Sequence, residues 1–274
     1  MDKSKVTCSF VSYKTDILQL NKAIESIPDD IIIYIVDNSP TSILKKVLPL
    51  GRNLQYIFNN KNLGFGPAHN IAIRKAIEHG STYHLVLNPD IEFGMDVIIG
   101  LTKFMDNNLD IGLVMPKVLY PDKSIQYLCK LLPSPYDWIG RRFSPFKKYL
   151  ERRNEVFELR FTGYNEIMDI PYLSGCFMFM RTSILKEVGL FDENIFMYCE
   201  DTDLSRRIYS KSRSVFYPKV TIYHEFQKGP HKSFKLLWYN IQSSVYYFNK
   251  WGWFFDEERN KINRKVLNDL GFKK

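Results

Sequence analysis

The run Ile31-Ile32-Ile33-Tyr34-Ile35-Val36, followed at once by Asp37-Asn38-Ser39-Pro40, decides how this chain folds. Six consecutive residues without a charge leave no face for water, so the segment suits a strand covered by helices on both sides of a parallel sheet. The Asp-Asn-Ser-Pro that follows is turn chemistry. Working outward, Val6 to Tyr13, Leu54 to Phe58 and Tyr83 to Leu87 are further short β-rich runs, the last ending at Asn88-Pro89-Asp90. A helix-like polar stretch runs to Ile27, and Leu63 to His79 carries the helical pattern A-H-N-I-A-I-R-K-A-I, closed by Gly80 as a C-cap. Strands alternating with helices predict an α/β architecture: a mostly parallel, doubly wound central sheet with flanking helices. Ligands of such sheets bind beyond the carboxyl ends of the strands, and Asp37 and Asp90 each follow a strand at that rim.

The pattern changes between about Lys130 and Ile170, where Arg141-Arg142, Lys147-Lys148 and Arg152-Arg153 are interleaved with aromatics and no strand period appears. This reads as a flexible or helical basic insertion rather than a separate domain. Beyond it come an apolar run from Tyr172 to Met180, a short helix over Ser183 to Val188, and the acidic Glu200-Asp201-Thr202-Asp203 opening a helix with Arg206-Arg207. Two more strands follow, Ser214 to Tyr217 and Val220 to His224. The tail from Phe234 to Phe255 is aromatic and cationic. Residues 1–230 are therefore expected to form the main domain, with halves at about 1–120 and 171–230 around the insertion, and 231–274 a C-terminal helical extension.

The chain has 274 residues, a formal charge of +8 and 15% aromatic residues. The charge favours anionic partners, such as nucleotide diphosphates or anionic lipids, and is equally a soluble basic surface. No nucleic-acid-binding signature accompanies it. Cys8, Cys129, Cys176 and Cys199 show no zinc-ligand spacing, and Cys8 and Cys176 sit in apolar runs as small core residues. Neither a signal peptide nor an apolar run of about 20 residues is visible, so a cytoplasmic setting is expected, with peripheral contact at the inner face of a membrane left open. The tail has two readings: a helix packed on the main domain, or one resting on lipid through Trp and Lys.

Taken singly, the polar motifs are ambiguous. Asn88-Pro89-Asp90 suits a turn and also suits a hard divalent cation that bridges phosphate oxygens. Glu200-Asp201-Thr202-Asp203 suits helix capping and also a carboxylate that takes a proton from a hydroxyl. His224 is a satisfied polar residue or a ligand. Asn62-Leu63-Gly64-Phe65-Gly66-Pro67 is Gly-rich but is neither a dinucleotide fingerprint nor a P-loop.

Their order is more informative. Val11-Ser12-Tyr13, Val36-Asp37-Asn38-Ser39, Asn62-Leu63-Gly64-Phe65-Gly66 with Asn70, Leu87-Asn88-Pro89-Asp90, Ser174-Gly175-Cys176-Phe177-Met178, Gly189-Leu190-Phe191-Asp192-Glu193, Phe196 to Leu204 and His224 occur in one series along nearly the whole chain. This series resembles the family 2 glycosyltransferases, and within them the bacterial rhamnosyltransferase-like members. The resemblance implies a GT-A fold and an inverting transfer of a sugar from a nucleotide diphosphate donor. It implies donor contacts from Ser12, Tyr13, Asp37, Asn38, Asn62, Gly64, Phe65, Asn70, Asn88 and Asp90, with Asp37 on the base or ribose. Asp90 and His224 would hold Mg²⁺ or Mn²⁺; Asn88 stands where many relatives have Asp. Asp201 would be the general base, with Glu200 shaping the site, and Gly175, Asp203, Arg141 and Arg142 would meet the acceptor. The Asn-Pro-Asp form and the stretch Asp122-Lys123-Ser124-Ile125-Gln126 are most similar to users of dTDP-L-rhamnose, with UDP-hexoses and UDP-galactofuranose as alternatives. The acceptor implied is a saccharide or a polyprenyl-pyrophosphate-linked saccharide of bacterial surface polysaccharide synthesis. A non-catalytic nucleotide-sugar-binding protein is the alternative from another class.

Overall fold

A computed structural model describes residues 5–49, 51–140, 146–225 and 234–272. The decisive run forms strand β2 (Ile32–Asp37), and all six of its residues are buried. On one side it pairs in parallel with β1 (Val6–Ser12) and on the other with β3 (Leu54–Phe58). Helix α1 (Ile17–Glu25) joins β1 to β2. Its Asp16 cap accepts the Leu18 and Gln19 amides, a contribution of about 0.5–2 kcal/mol. Helix α2 (Gly66–His79) starts with Pro67 in its first turn and stops at Gly80, whose φ of +82° is open to glycine at little cost. Strand β4 (Tyr83–Leu87) then returns to the other side of β1. The sheet thus reverses direction beside β1, and a crevice opens there beyond the strand ends.

The second half of the sheet is mixed. After β5 (Ile91–Phe93), helix α3 (Asp96–Asp106) leads to β6 (Ile111–Leu119). Strand β10 (Phe177–Arg181) lies antiparallel between β4 and β6. The full order is β3-β2-β1-β4-β10-β6-β11-β5, where β11 (Arg213–His224) also pairs with β8 (Met168–Asp169). Sequence predicts two strands here, Ser214 to Tyr217 and Val220 to His224; the structure has one. Pro218 cannot donate to a ladder, and the register of β11 against β6 shifts between Tyr217 and Thr221, so the strand absorbs the proline as an irregularity instead of ending.

The basic insertion leaves the sheet through β7 (Cys129–Lys130), makes a π turn over Tyr136–Gly140, and forms helix α4 (Lys147–Phe157) before β8. Strand β9 (Tyr172–Leu173) pairs with β7 and closes its base. Arg153 of α4 reaches back to Asp137 through bonds of 2.6 and 2.8 Å. Arg141 and Arg142 lie outside the described residues.

After helix α5 (Thr182–Val188), helix α6 (Glu200–Tyr209) is followed by β11 and then by two C-terminal helices, α7 (Phe234–Trp251) and α8 (Glu257–Asp269). The tail packs on the main body: Tyr247 and Phe248 close over Cys199, and Val266 joins the principal core. Arg206 of α6 is buried, with a two-pronged bond to Asp256 (2.7 and 2.8 Å), a contact to Glu258 and the Trp251 ring 4.1 Å away. Trp238 and Phe234 remain exposed. Among the described residues no helix is long and apolar enough to cross a membrane.

Candidate active site

Side chains at the carboxyl ends of β1 and β2 mostly hold the loops in place. Asp37 is 0% exposed; its Oδ1 accepts from the Ser39 amide (2.9 Å) and its Oδ2 from the Tyr56 hydroxyl (2.7 Å). The carboxylate expected on a nucleotide base or ribose is enclosed at the sheet rim, bonded to its own loop and to β3. Asn38 is also buried, donating to Gly64 O (3.0 Å) and Asn62 Oδ1 (3.3 Å) and accepting from Asn59. Asn70, expected at the donor, instead ties α2 to the later Phe191–Glu193 loop, donating to Phe191 O and accepting its amide. Ser12 is buried, whereas Tyr13 is exposed at the rim.

These bonds give the Asn59–Phe65 loop a definite shape. Gly64 has φ +90°, and a Cβ there would run into the Phe196 carbonyl, to which the Phe65 amide donates at 3.0 Å. Phe65 is thus held in the wall of a cavity of about 590 Å³. Behind it, His69 packs edge-on at 4.4 Å, and Ser9 Oγ lies 2.8 Å from a ring nitrogen of both His69 and His84. Burial holds both imidazoles well below their ordinary value, His84 at about 3, so this support under the cavity is uncharged.

The same cavity is lined by Asn88, Gly175, Cys176, Glu200, Asp201 and His224. Residues from β4, the β9–β10 turn, α6 and β11 meet here because the strand order brings their ends to one rim. Two successive non-glycine residues with positive φ, Tyr198 (70°) and Cys199 (64°), precede α6. Such conformations cost about 1–3 kcal/mol each and persist only when their surroundings fix them. Helix α7 supplies that fixing: Ser243 donates to Met197 O (2.7 Å), Tyr239 packs on Phe196, and Tyr247 and Phe248 bury Cys199. The strained turn delivers Glu200 and Asp201 to the cavity in the first turn of α6.

Asp201 Oδ2 accepts the Gly175 amide (2.9 Å) and Oδ1 the Thr202 amide (2.7 Å). Gly175 suits its place, since a Cβ would lie 3.0 Å from the Asp201 Cβ. Glu200 is 7% exposed, and its Oε2 has no hydrogen-bond partner among the described residues. Burial, then the neighbouring Asp201 charge, pushes Glu200 well above the carboxylate range. Burial also raises Asp201, against the Gly175 amide and the charge of Lys130. Asp203, expected near the acceptor, is 0% exposed, with Arg207 (2.9 Å), Trp251 Nε1 (2.8 Å) and Lys250 (2.8 Å) on its oxygens. It clasps α7 to α6.

At the other end of the cavity, His224 Nε2 lies 3.3 Å from Asp90 Oδ1. Gln126 locks the ring: its amide donates to His224 O (2.7 Å), which turns its own carbonyl oxygen to His224 Nδ1 (2.9 Å). That oxygen only accepts, so Nδ1 carries a proton and Nε2 is the nitrogen that faces Asp90. Burial lowers the imidazole, but the adjacent Cys176 sulfur and Asp90 outweigh it and raise it to about 10. Donor atoms of one octahedral cation stand about 3 Å apart at bonds of about 2.1 Å, close to the spacing seen, and Mg²⁺-type sites take few protein ligands and complete themselves with phosphate and water. A ring held by a second-sphere carbonyl is also the usual state of a metal-ligating histidine. The donors fit a divalent cation that a diphosphate shares; among the described residues no set of three His, Cys, Asp or Glu side chains converges.

Gln126, Lys130, Tyr127 and Arg160 also line the cavity. Gln126 ends the Asp122–Gln126 stretch of the donor resemblance, whereas no motif marks Tyr127, Lys130 or Arg160; Lys130 and Arg160 belong to the insertion, whose folding brings them here. Cys176, read as a core residue, is buried but borders the same cavity. All four cysteines are free.

A sheet of this order, with acidic and imidazole ligands at its crevice, is the GT-A fold. Solved structures of similar shape include GalNAc-T7 with UDP, GalNAc and Mn²⁺ (TM-score 0.59, 15% identity, 82% of this chain and 44% of that one). Another is the mannosyltransferase PcManGT of Pyrobaculum calidifontis in complex with GDP-Man and Mn²⁺ (TM-score 0.56, 16% identity, 90% and 63%). The model of the family described as glycosyltransferase like family 2 matches residues 6–239, and the chain belongs to that family. Among its relatives are the N-acetylglucosaminyl-diphospho-decaprenol L-rhamnosyltransferase of Mycobacterium tuberculosis, 27% identical over 189 residues, and the rhamnosyltransferase WbbL of Escherichia coli, 26% identical over 184. These matches span 63% and 64% of this chain, and 59% and 65% of the respective relatives.

Proposed function

We propose that the chain is a metal-dependent, inverting glycosyltransferase that moves a sugar from a nucleoside diphosphate donor to an acceptor hydroxyl. The observation that carries this reading is that Asp201 and His224 line one cavity, with Asp90 3.3 Å behind His224 Nε2. Asp90 and His224 would hold Mg²⁺ or Mn²⁺, whose charge stabilises the departing diphosphate. Tyr13, Asn62, Phe65 and Asn88 form the donor edge, and Gly175 sets Asp201 from the acceptor side.

The chemistry then needs one base. Asp201 takes the acceptor hydroxyl proton as that oxygen bonds to the anomeric carbon, and the bond from that carbon to the diphosphate oxygen breaks with its electron pair leaving on the diphosphate. A single displacement inverts the anomeric centre and requires no enzyme nucleophile. The Gly175 amide orients the carboxylate, and its burial raises its basicity, which suits proton abstraction.

The rhamnosyltransferase names of the relatives support L-rhamnose from dTDP-L-rhamnose as the sugar, and the decaprenyl-linked substrate in one of those names supports a lipid-linked saccharide acceptor. That chemistry belongs to surface polysaccharide synthesis at the inner face of a membrane. The test is sugar release and transfer measured with dTDP-L-rhamnose, UDP-hexoses and UDP-galactofuranose, each with Mn²⁺ and with chelator. Turnover of dTDP-L-rhamnose that chelator stops is expected. A donor that raises the melting temperature but is never turned over would leave a sugar-nucleotide-binding protein instead.

A further inference from the structure

The folded insertion encloses a second space, about 970 Å³, between α4 and α8. Its floor is apolar, from Leu131, Phe157, Leu267 and Phe272, and its rim carries Arg152 and Arg264. Both arginines are exposed, and neither forms an ion pair among the described residues, in contrast to Arg153 beside them, which Asp137 holds. Two available guanidinium forks above a hydrocarbon floor match one kind of ligand: a phosphate or diphosphate attached to an apolar chain.

The space also has a direction. The Leu131 amide donates to Phe157 O at 3.0 Å, and this link forms a wall between the two cavities. The next residue on each side, Lys130 and Glu158, lines the catalytic cavity. The groove and the catalytic cavity are therefore neighbours on either side of this pair of segments. We propose that the groove seats the polyprenyl diphosphate of the acceptor, with Arg152 and Arg264 on the diphosphate and the apolar floor under the first isoprenoid units. The saccharide then crosses the shared wall toward Asp201. This rests on the lipid-linked acceptor of the preceding section, and it gives the basic insertion and the C-terminal helix a joint task.

Farnesyl diphosphate titrated into the whole chain tests the groove, with inorganic pyrophosphate and farnesol as comparisons. The prenyl diphosphate is expected to bind more tightly than either, and saturating UDP with Mn²⁺ should leave it bound. The double variant Arg152→Glu/Arg264→Glu should weaken it at least tenfold while leaving UDP binding unchanged; circular dichroism confirms that the fold persists. Wild-type affinity in the double variant overturns the assignment. So does equal affinity for pyrophosphate, which means a soluble-anion site, or displacement by UDP, which means binding in the catalytic cavity. A chain that binds farnesyl diphosphate through these arginines yet turns over no nucleotide sugar keeps the groove and removes the proposed activity, so the two readings fail separately.

Discussion

Polar residues at the ends of β1 and β2 look, in sequence, much like those around β4, the β9–β10 turn and α6. In the folded chain they do opposite things. Asp37, Asn38 and Asn70 are buried and spend their hydrogen bonds on one another, on Tyr56 and on neighbouring loops. Glu200, Asp201 and His224 line a shared cavity, although all three are themselves strongly or partly desolvated, and Asp90 adjoins it through His224. The first group is satisfied internally; the second borders open space, which is where the proposed chemistry would act. A buried polar group is stable when its partners are internal; one whose capacity is left over in a cavity is kept for a ligand.

The sharpest way to break that distinction is Asp201→Asn. The amide keeps the shape but not the basicity, so transfer should fall by about 10²- to 10⁴-fold with donor affinity retained. Steady-state kinetics beside a donor titration checks it, and an equal loss in Asn38→Ala would dissolve the contrast. Next comes the brace behind the strained turn. Asp256→Ala strands the buried Arg206, and removing one partner of a buried pair costs about 3–5 kcal/mol, read by denaturant unfolding. A loss of turnover without a loss of stability would mean that the tail takes part in the chemistry directly.

A smaller effect separates the ligand from its holder. Gln126→Leu leaves Asp90 and His224 in place but frees the ring, which should weaken cation activation about 10- to 100-fold. The smallest effect concerns pH. Because burial raises Asp201 and couples it to Glu200, the acidic limb of kcat/KM should lie above the usual carboxylate value of about 4. The base works only when deprotonated, so activity is lost as pH falls through that raised value. Glu200, held above Asp201 by burial and by the Asp201 charge, is neutral while Asp201 titrates, so Glu200→Gln should leave that limb in place.

Much of this was legible in the sequence, for reasons that can be named. The uncharged run before Asp37 reads as an inner strand, Gly80 and Pro67 bounded α2, and the ordered motifs include Gly175, Asp201 and His224, which line one cavity. What escaped was accessibility. Asp37 and Asp201 both follow apolar sequence, and nothing local tells that Tyr56, nineteen residues on, closes over the first. Likewise Asp203 stands two residues from Asp201, yet α6 turns it toward Trp251 and Lys250 of a helix far along the chain. Lys130 and Arg160 carry no motif, because their place is set by how the insertion folds back.

The most direct trial is a calorimetric titration of UDP and of dTDP, with and without Mn²⁺, on two substitutions of the same chemistry, Asp37→Asn and Asp90→Asn. The account predicts that Asp90→Asn loses the gain in affinity that Mn²⁺ confers, while Asp37→Asn keeps it and shows only a lower melting temperature. Nucleotide binding destroyed by Asp37→Asn in a folded chain, together with an undiminished Mn²⁺ effect in Asp90→Asn, would contradict it.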